Sequence, residues 1–394
     1  MKEDEFILNA ARLHLTKENI TALKKLAGSS LDWSLMAKNA SRHCVSNLMY
    51  YALKKHDLTA LLPKELLKKF QAEYYEIAII NANLLEIFKE IVSLLPNKVI
   101  PLKGIELIQS LYPNIAIRSM CDIDLLVEQS CAEKNWHQLL QEGYDSFSPL
   151  HTVKKSGAHS ELPEKCLHLP QLCRDKISVE VHRSLFQDSR FQEVTRQALA
   201  SSVNISGNRH RLTQEMMLIH LCTHFYKHTH TQGVTLRGLC DINELLRKYE
   251  KTLNWDEIEQ ICSEPELRYE VAMGLSYAHI LLTTPVPEQF LTEKLLKKRE
   301  TILSSFFDKE LYVEDVKLPL LKRLKKYSVS LKQLPSLAKK MAFVFRTFVP
   351  QKEWMAEKYD VSTAGNLAIA YPRYWLELVN TYLIGGRGNM QIRK

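Results

Sequence analysis

No window of the chain holds 18 or more uninterrupted apolar residues, so no stretch has the length and purity that a membrane-spanning helix needs. The start, Met-Lys-Glu-Asp-Glu-Phe, is charged where a signal peptide would carry its apolar core. The eight cysteines, at 44, 121, 131, 166, 173, 222, 240 and 262, never fall at Cys-x-x-Cys spacing. That argues against common zinc modules and against the disulfide framework of a short secreted chain. These absences predict a soluble, cytoplasmic protein with reduced thiols.

A further absence is local. Between Asp315 and Glu353 there is no acidic residue, while Lys317, Lys322, Arg323, Lys325, Lys326, Lys332, Lys339, Lys340, Arg346 and Lys352 accumulate. From Thr301 to the end the chain has 16 Lys+Arg against 8 Asp+Glu, a surplus equal to the +8 of the whole protein. Such a run is either a solvated face or a surface for an anionic partner. Pro319 and Pro335 interrupt it, which ranks a nucleic acid or another polyanionic acceptor above a membrane surface.

What is present begins with enough length, 394 residues at 45% hydrophobic and 25% charged, to bury a sizeable core in two or three domains. The first 95 residues read as helices. Thr16 is placed to cap 17–27, with Gly28 at its end, and 32–55 suits two packed helices. Pro63 suits the first turn of a long helix whose apolar stripe, Leu66, Phe70, Tyr74, Ile77, Leu84, Phe88 and Ile91, runs until Pro96. Strands begin near Lys98, and Pro101 makes the first one short or confines it to an edge. Ser130 with Glu133 has the form of a capping box for a helix running to Gly143. Residues 145–164 read as a long surface loop. Leu167-His-Leu169 and Ile177 to His182 read as a hairpin, and from Thr213 the chain returns to helices.

The chemistry gathers in two stretches. In Cys121-Asp-Ile-Asp-Leu-Leu-Val127, alternate side chains of a strand share a face, which puts Asp122 and Asp124 together and sends Ile123, Leu125 and Val127 into a core. Two like charges so placed repel unless water, protonation or a cation relieves them, and Mg²⁺ typically takes one or two carboxylates together with substrate phosphates. Lys103-Gly104 precedes a helical segment, and a glycine at a strand-to-helix turn lets backbone N–H groups approach phosphate. Lys103 and Arg118 add positive charge on either side. In Lys176-Ile-Ser-Val-Glu-Val-His182, Ser178, Glu180 and His182 share one strand face and supply a third carboxylate.

Lys-Gly, then Arg with Asp-x-Asp and an apolar run, then an acidic-x-His strand, resembles the uncharacterised nucleotidyltransferase family of the DNA polymerase β-type superfamily. The resemblance is strongest over 98–185. That superfamily opens its motif with Gly-Ser or Gly-Gly and places its acidic pair sooner, whereas this chain has Gly104-Ile105 and 17 residues before Asp122. The resemblance implies an α+β fold with a small mixed sheet, as an N-terminal helical region (1–96), a nucleotidyltransferase core (97–205) and a C-terminal helical region (206–394). It implies transfer of a nucleoside monophosphate from a nucleoside triphosphate to an acceptor, RNA, protein or small molecule, with Mg²⁺ or Mn²⁺ as cofactor. Asp122, Asp124 and Glu180 would be catalytic and metal-holding, with Lys103, Gly104, Arg118 and His182 toward the nucleotide.

Farther along, His220, His224 and His228 are four apart on one helix face, with His230 just beyond. Three such histidines could bind zinc, but one straight helix rarely supplies three ligands to one ion, so structural or solvent-facing roles are expected. Arg237 and Asp241, also four apart, suit an intrahelical ion pair. The resemblance places His224 and Asp241 along the cleft, with Arg237 a further candidate to line it. Two other function classes stay open: a catalytically silent nucleotide-binding or interaction module, and a metal-dependent hydrolase built on the histidine helix.

Overall fold

The computed structural model describes residues 1–146, 167–186, 189–231, 235–307 and 371–376. By its contacts the chain divides into two units, one of residues 1–145 and 166–311, the other of 146–165 and 312–394. Of the second, Ser146 and the helical residues 371–376 are described. The basic run 317–352 and most of the expected surface loop lie outside the described residues.

The architecture is α+β. Five helices come first: α1 (Lys2–Ala10), α2 (Lys17–Ala27), α3 (Trp33–Arg42), α4 (Ser46–Lys55) and α5 (Lys64–Leu94). Thr16 caps α2 by accepting the Asn19 N–H at 3.3 Å, and Asp32 caps α3 by accepting that of Leu35 at 2.9 Å. Helix α5 starts directly after Pro63 and stops short of Pro96, with Leu66, Phe70, Leu84, Phe88 and Ile91 buried. Among these apolar positions sits Asn81, also fully buried. Its amide donates to the carbonyls of Ile115 (2.6 Å) and Arg118 (2.7 Å). Asn47 of α4 does the same to Ala116 at 2.9 Å. Buried amides without partners would cost free energy, and here that requirement pins the loop leading into the carboxylate strand.

The sheet follows as β1 (Ile100–Pro101), α6 (Lys103–Ser110), β2 (Asp122–Leu126), α7 (Gln129–Gln141), β3 (Asp145–Ser146), β4 (Leu172–Arg174) and β5 (Ile177–His182). Its order is β1-β2-β5-β4-β3, so Pro101 does lie in a two-residue edge strand. The expected loop thus begins with a short strand at Asp145. The capping box at Ser130 does not form: α7 starts at Gln129 after Glu128, with no side-chain cap, so Ser130 lies inside its first turn. A hairpin into β5 forms, but its first strand is β4 at Leu172–Arg174 and not 167–169, of which His168 makes only an isolated bridge to His182; its turn is Asp175 (φ 52°) and Lys176 (φ 67°), both left-handed as a two-residue type I′ turn requires.

Helix α8 (Gln192–Ala200) and the β6–β7 hairpin (Val203–Ser206, Arg209–Arg211) lead to α9 (Gln214–Thr231), α10 (Leu236–Tyr249), α11 (Trp255–Ile261), α12 (Pro265–Leu282), α13 (Glu293–Leu296) and α14 (Arg299–Ser305). One hydrophobic core joins early and late helices, from Phe6 and Ile7 through Leu218 and Leu239 to Phe307. Where α12 crosses α9, a Cβ on Gly274 would come 2.8 Å from Cys222 Cβ and 2.9 Å from its Cα. Alanine at 274 would gain about 1 kcal/mol of helix propensity, but the obstacle is backbone and cannot swing aside. Gly274→Ala is therefore expected to lose about 1–3 kcal/mol net, read as a lower urea midpoint with an unchanged slope.

Candidate active site

The central strands β2 and β5 run parallel, with Asp122 opposite Ser178, Asp124 opposite Glu180 and Leu126 opposite His182. Ile123, Leu125, Val179 and Val181, on the other face, are fully buried. The alternation of both strands therefore delivers acidic and imidazole groups to one face. Asp124, Glu180 and His182 each place a ligand atom within 4.8 Å of the others. His182 Nε2 is 2.9 Å from Asp124 Oδ1 and 3.3 Å from Glu180 Oε2.

Lys103 completes the group, its Nζ 2.9 Å from Asp124 Oδ2. It opens α6 with φ 44°, a left-handed conformation that costs a non-glycine residue of order 1 kcal/mol or more. At Gly104 a Cβ would meet Met120 Sδ at 2.7 Å and Arg118 Nη1 at 3.1 Å, so the close approach that only glycine permits is that of these two side chains.

Charge is distributed unevenly over this face. Burial alone would push the Asp124 carboxyl up, but the Lys103 ammonium and the His182 hydrogen bond outweigh it and hold Asp124 well below the usual carboxylate range. Glu180 is likewise lowered, since the His182 hydrogen bond and His168 overcome its burial. His182 itself is raised, because its bonds to Asp124 and Glu180 exceed the penalty of burial. Asp122 goes the other way: burial and the neighbouring Asp124 charge push it up, with Lys103 and Arg237 only partly offsetting them. One carboxylate is satisfied and its neighbour is charge-frustrated, a state that added positive charge would relieve.

Residues 29–283 match the model of a family described as uncharacterised nucleotidyltransferases. The chain belongs to this family. No curated protein and no solved structure matches. The match runs from just after α2 to just past α12, so it takes in α3–α5 and α9–α12 as well as the carboxylate strands, while α1, α2, α13 and α14 lie outside it.

Other residues expected at the nucleotidyltransferase site are placed differently. Arg118, expected beside the triphosphate, is 7% exposed and donates through Nε and Nη2 to Asp241, both at 2.8 Å. The Tyr112 hydroxyl donates to the same Asp241 carboxylate at 2.7 Å. The intrahelical Arg237–Asp241 pair does not form, because Asp241 points into this buried cluster. Arg237 instead donates to the Ser119 carbonyl at 2.9 Å, beside the carboxylate strand. His168, in the segment before β4, stands 3.8 Å from Glu180; the sequence places it in a hairpin strand without a part in the carboxylate site. It bridges to His182, and the alternation of Leu167-His-Leu169 ahead of the acidic-x-His strand was the available signal.

The α9 histidines are not solvent-facing: His220 is 3% exposed, and His224 and His228 are half-buried. The side chain of His230 lies outside the described residues. Burial, then the Lys103 charge, lowers His220 to about 3 and His228 to about 4. Both groups are neutral in the fold and protonated when unfolded between those values and about 6.5. The unfolded state then binds more protons, so stability rises with pH through that window, by up to roughly 1.4 kcal/mol per pH unit for each histidine. His182, raised, acts oppositely: its contribution is complete below about 6.5 and is lost as pH climbs through its folded value. Thermal midpoints in metal-free buffer should climb from pH 4 to about 6.5. His220→Leu should flatten that climb.

Proposed function

We propose that this chain transfers a nucleoside monophosphate from a nucleoside triphosphate to an acceptor with release of pyrophosphate, using Asp122, Asp124 and Glu180 to hold Mg²⁺ or Mn²⁺. The observation that carries the reading is the parallel register that stacks Asp124 on Glu180, with Lys103 and His182 closing on them. The donor set suits such a cofactor. Carboxylate oxygens favour hard dications, and the raised pKa of Asp122 marks a place short of positive charge. His182 acts as the partner of the carboxylates and fixes their orientation, as outer residues around metal ligands do.

When bound, the ions would supply charge neutralisation to the phosphate oxygens, worth several kcal/mol in the transition state. The protein's own residues do the rest. Lys103 and the first N–H groups of α6 offer positive charge to the triphosphate. An acceptor oxygen forms the new bond to the α-phosphorus while the bond from that phosphorus to the bridging oxygen breaks, and pyrophosphate departs. The acceptor's proton goes to Glu180. His168, kept neutral by burial at 3.8 Å, can take it onward.

Incubating the protein with α-labelled triphosphates, Mg²⁺ and a cell extract tests this reading. Label is expected to enter an acceptor, and to stay out when EDTA is present. Triphosphate binding that ignores Mg²⁺, with no label transferred, would instead identify a silent nucleotide-binding module. Whether the label enters RNA, protein or small molecules identifies the acceptor class.

A further inference from the structure

The outer part of α9 carries a feature that nucleotidyl transfer does not use. His224 Nε2 and His228 Nε2 are 3.0 Å apart, with their ring centroids at 4.3 Å. One turn earlier, His220 is almost fully buried and neither of its ring nitrogens has a partner. Three imidazoles in a row, little exposed and without a carboxylate bonded to any of them among the described residues, are costly unless something takes their nitrogen lone pairs.

We propose that His224 and His228 form a binding site for a borderline transition-metal dication of the zinc and nickel class, separate from the carboxylate site. The geometry fits. Two nitrogens about 2.0–2.1 Å from one ion, at angles of about 95–110°, lie roughly 3.0–3.4 Å apart. The i, i+4 spacing holds both on one helix face without a change of backbone. Neutral imidazole is the ligating form, and burial lowers both groups, so no proton has to leave at neutral pH. Donor chemistry separates the two sites: the oxygens of Asp122, Asp124 and Glu180 suit Mg²⁺ or Mn²⁺, whereas paired imidazoles suit zinc, nickel and copper.

Asp124, Glu180 and His182 are the sole described cluster of three or more potential ligands, so among the described residues no third side chain joins the His224–His228 pair. The remaining coordination positions go to water or to a donor atom of a substrate, as in metal sites that keep an open position. Both histidines feel the charges of Lys103 and Asp124, so this ion would sit on the side of α9 that faces the carboxylates. The inference stands whether or not the protein transfers nucleotides.

Ni²⁺ titrated by calorimetry into the metal-free full-length protein tests it, with Co²⁺ absorption reporting nitrogen ligation. Saturating Mg²⁺ keeps the carboxylate site occupied by an ion that does not compete for imidazoles. Wild type is expected to bind one Ni²⁺ equivalent that persists in Mg²⁺ and in Asp124→Asn/Glu180→Gln. His224→Ala and His228→Asn should each weaken that equivalent at least about tenfold, while Mn²⁺ binding stays as in wild type. If His224→Ala does not fold, His228→Asn, near the end of the helix, decides the matter. Unchanged Ni²⁺ affinity in the histidine variants, or loss of the Ni²⁺ equivalent in Mg²⁺, would reduce the pair to a hydrogen bond between imidazoles and overturn the proposal.

Discussion

Asp122→Asn and Asp124→Asn are expected to lower nucleotidyl transfer alike, by at least about 10²-fold, yet to part company in stability. Asp124 has two partners: the Lys103 ammonium at 2.9 Å on one oxygen and the His182 imidazole at 2.9 Å on the other, with all three side chains largely out of solvent. Replacing that carboxylate with an amide leaves a buried ammonium without its counter-charge, a change that typically costs about 3–5 kcal/mol. Among the described residues Asp122 has no such partner within bonding distance, and its raised pKa fits a charge that the fold tolerates at a cost. An amide there removes repulsion toward Asp124 and Glu180, so stability should hold or rise slightly. Urea denaturation in EDTA, paired with label transfer in Mg²⁺, separates the two effects. Near-normal transfer by either variant would remove that residue from the catalytic set. Equal stability losses would show that Lys103 is not held by Asp124 alone.

The parts of this fold that local periodicity governs were legible in the sequence. Asp122 and Asp124 alternate with Ile123 and Leu125, and Glu180 and His182 with Val179 and Val181, so each strand's polar face could be read off directly. Pro101 marked an edge because a residue without an N–H cannot donate to a ladder. The parallel pairing of β2 with β5 was not legible, since no turn connects the two strands and Asp124 lies 56 residues from Glu180 in sequence, against 7 between Leu172 and Val179 across the hairpin. Without that register, His182 reads as a nucleotide contact, and its bond to Asp124 stays hidden.

Long-range electrostatics was the other blind spot. The spacing of Arg237 and Asp241 satisfies a local helix rule worth a few tenths of a kcal/mol. A guanidinium and a phenol from 123 and 129 residues away compete for the same carboxylate in a buried place, where such bonds are worth more. Asn81 carried a signal that went unread. A short amide in line with Phe70, Leu84, Phe88 and Ile91 is a polar group at a core position, and such a group must have partners.

Arg118→Ala is expected to cost about 3–5 kcal/mol of stability before it costs any triphosphate affinity. Asp241, 2% exposed, accepts two bonds from the guanidinium and one from Tyr112. Truncating Arg118 leaves that carboxylate charged and desolvated, with a single neutral donor. The loop that bears Arg118 is also held by Asn81 through the Arg118 carbonyl, so the backbone cannot follow the lost side chain to relieve the charge. The double variant Arg118→Met/Asp241→Leu removes both ions and should recover most of the loss, since apolar groups of similar size often replace a buried pair without penalty. Urea midpoints for wild type, Arg118→Met, Asp241→Leu and the double variant form a cycle whose coupling term isolates the pair. Triphosphate titrations on these four proteins and on Arg118→Ala supply the contrast. If Arg118→Ala kept the wild-type midpoint while weakening triphosphate binding tenfold or more, the guanidinium would be a phosphate ligand and its bond to Asp241 a resting position. If the midpoint falls and the double variant restores both stability and triphosphate binding, Arg118 anchors the loop that carries Asp122 and Asp124 into the site.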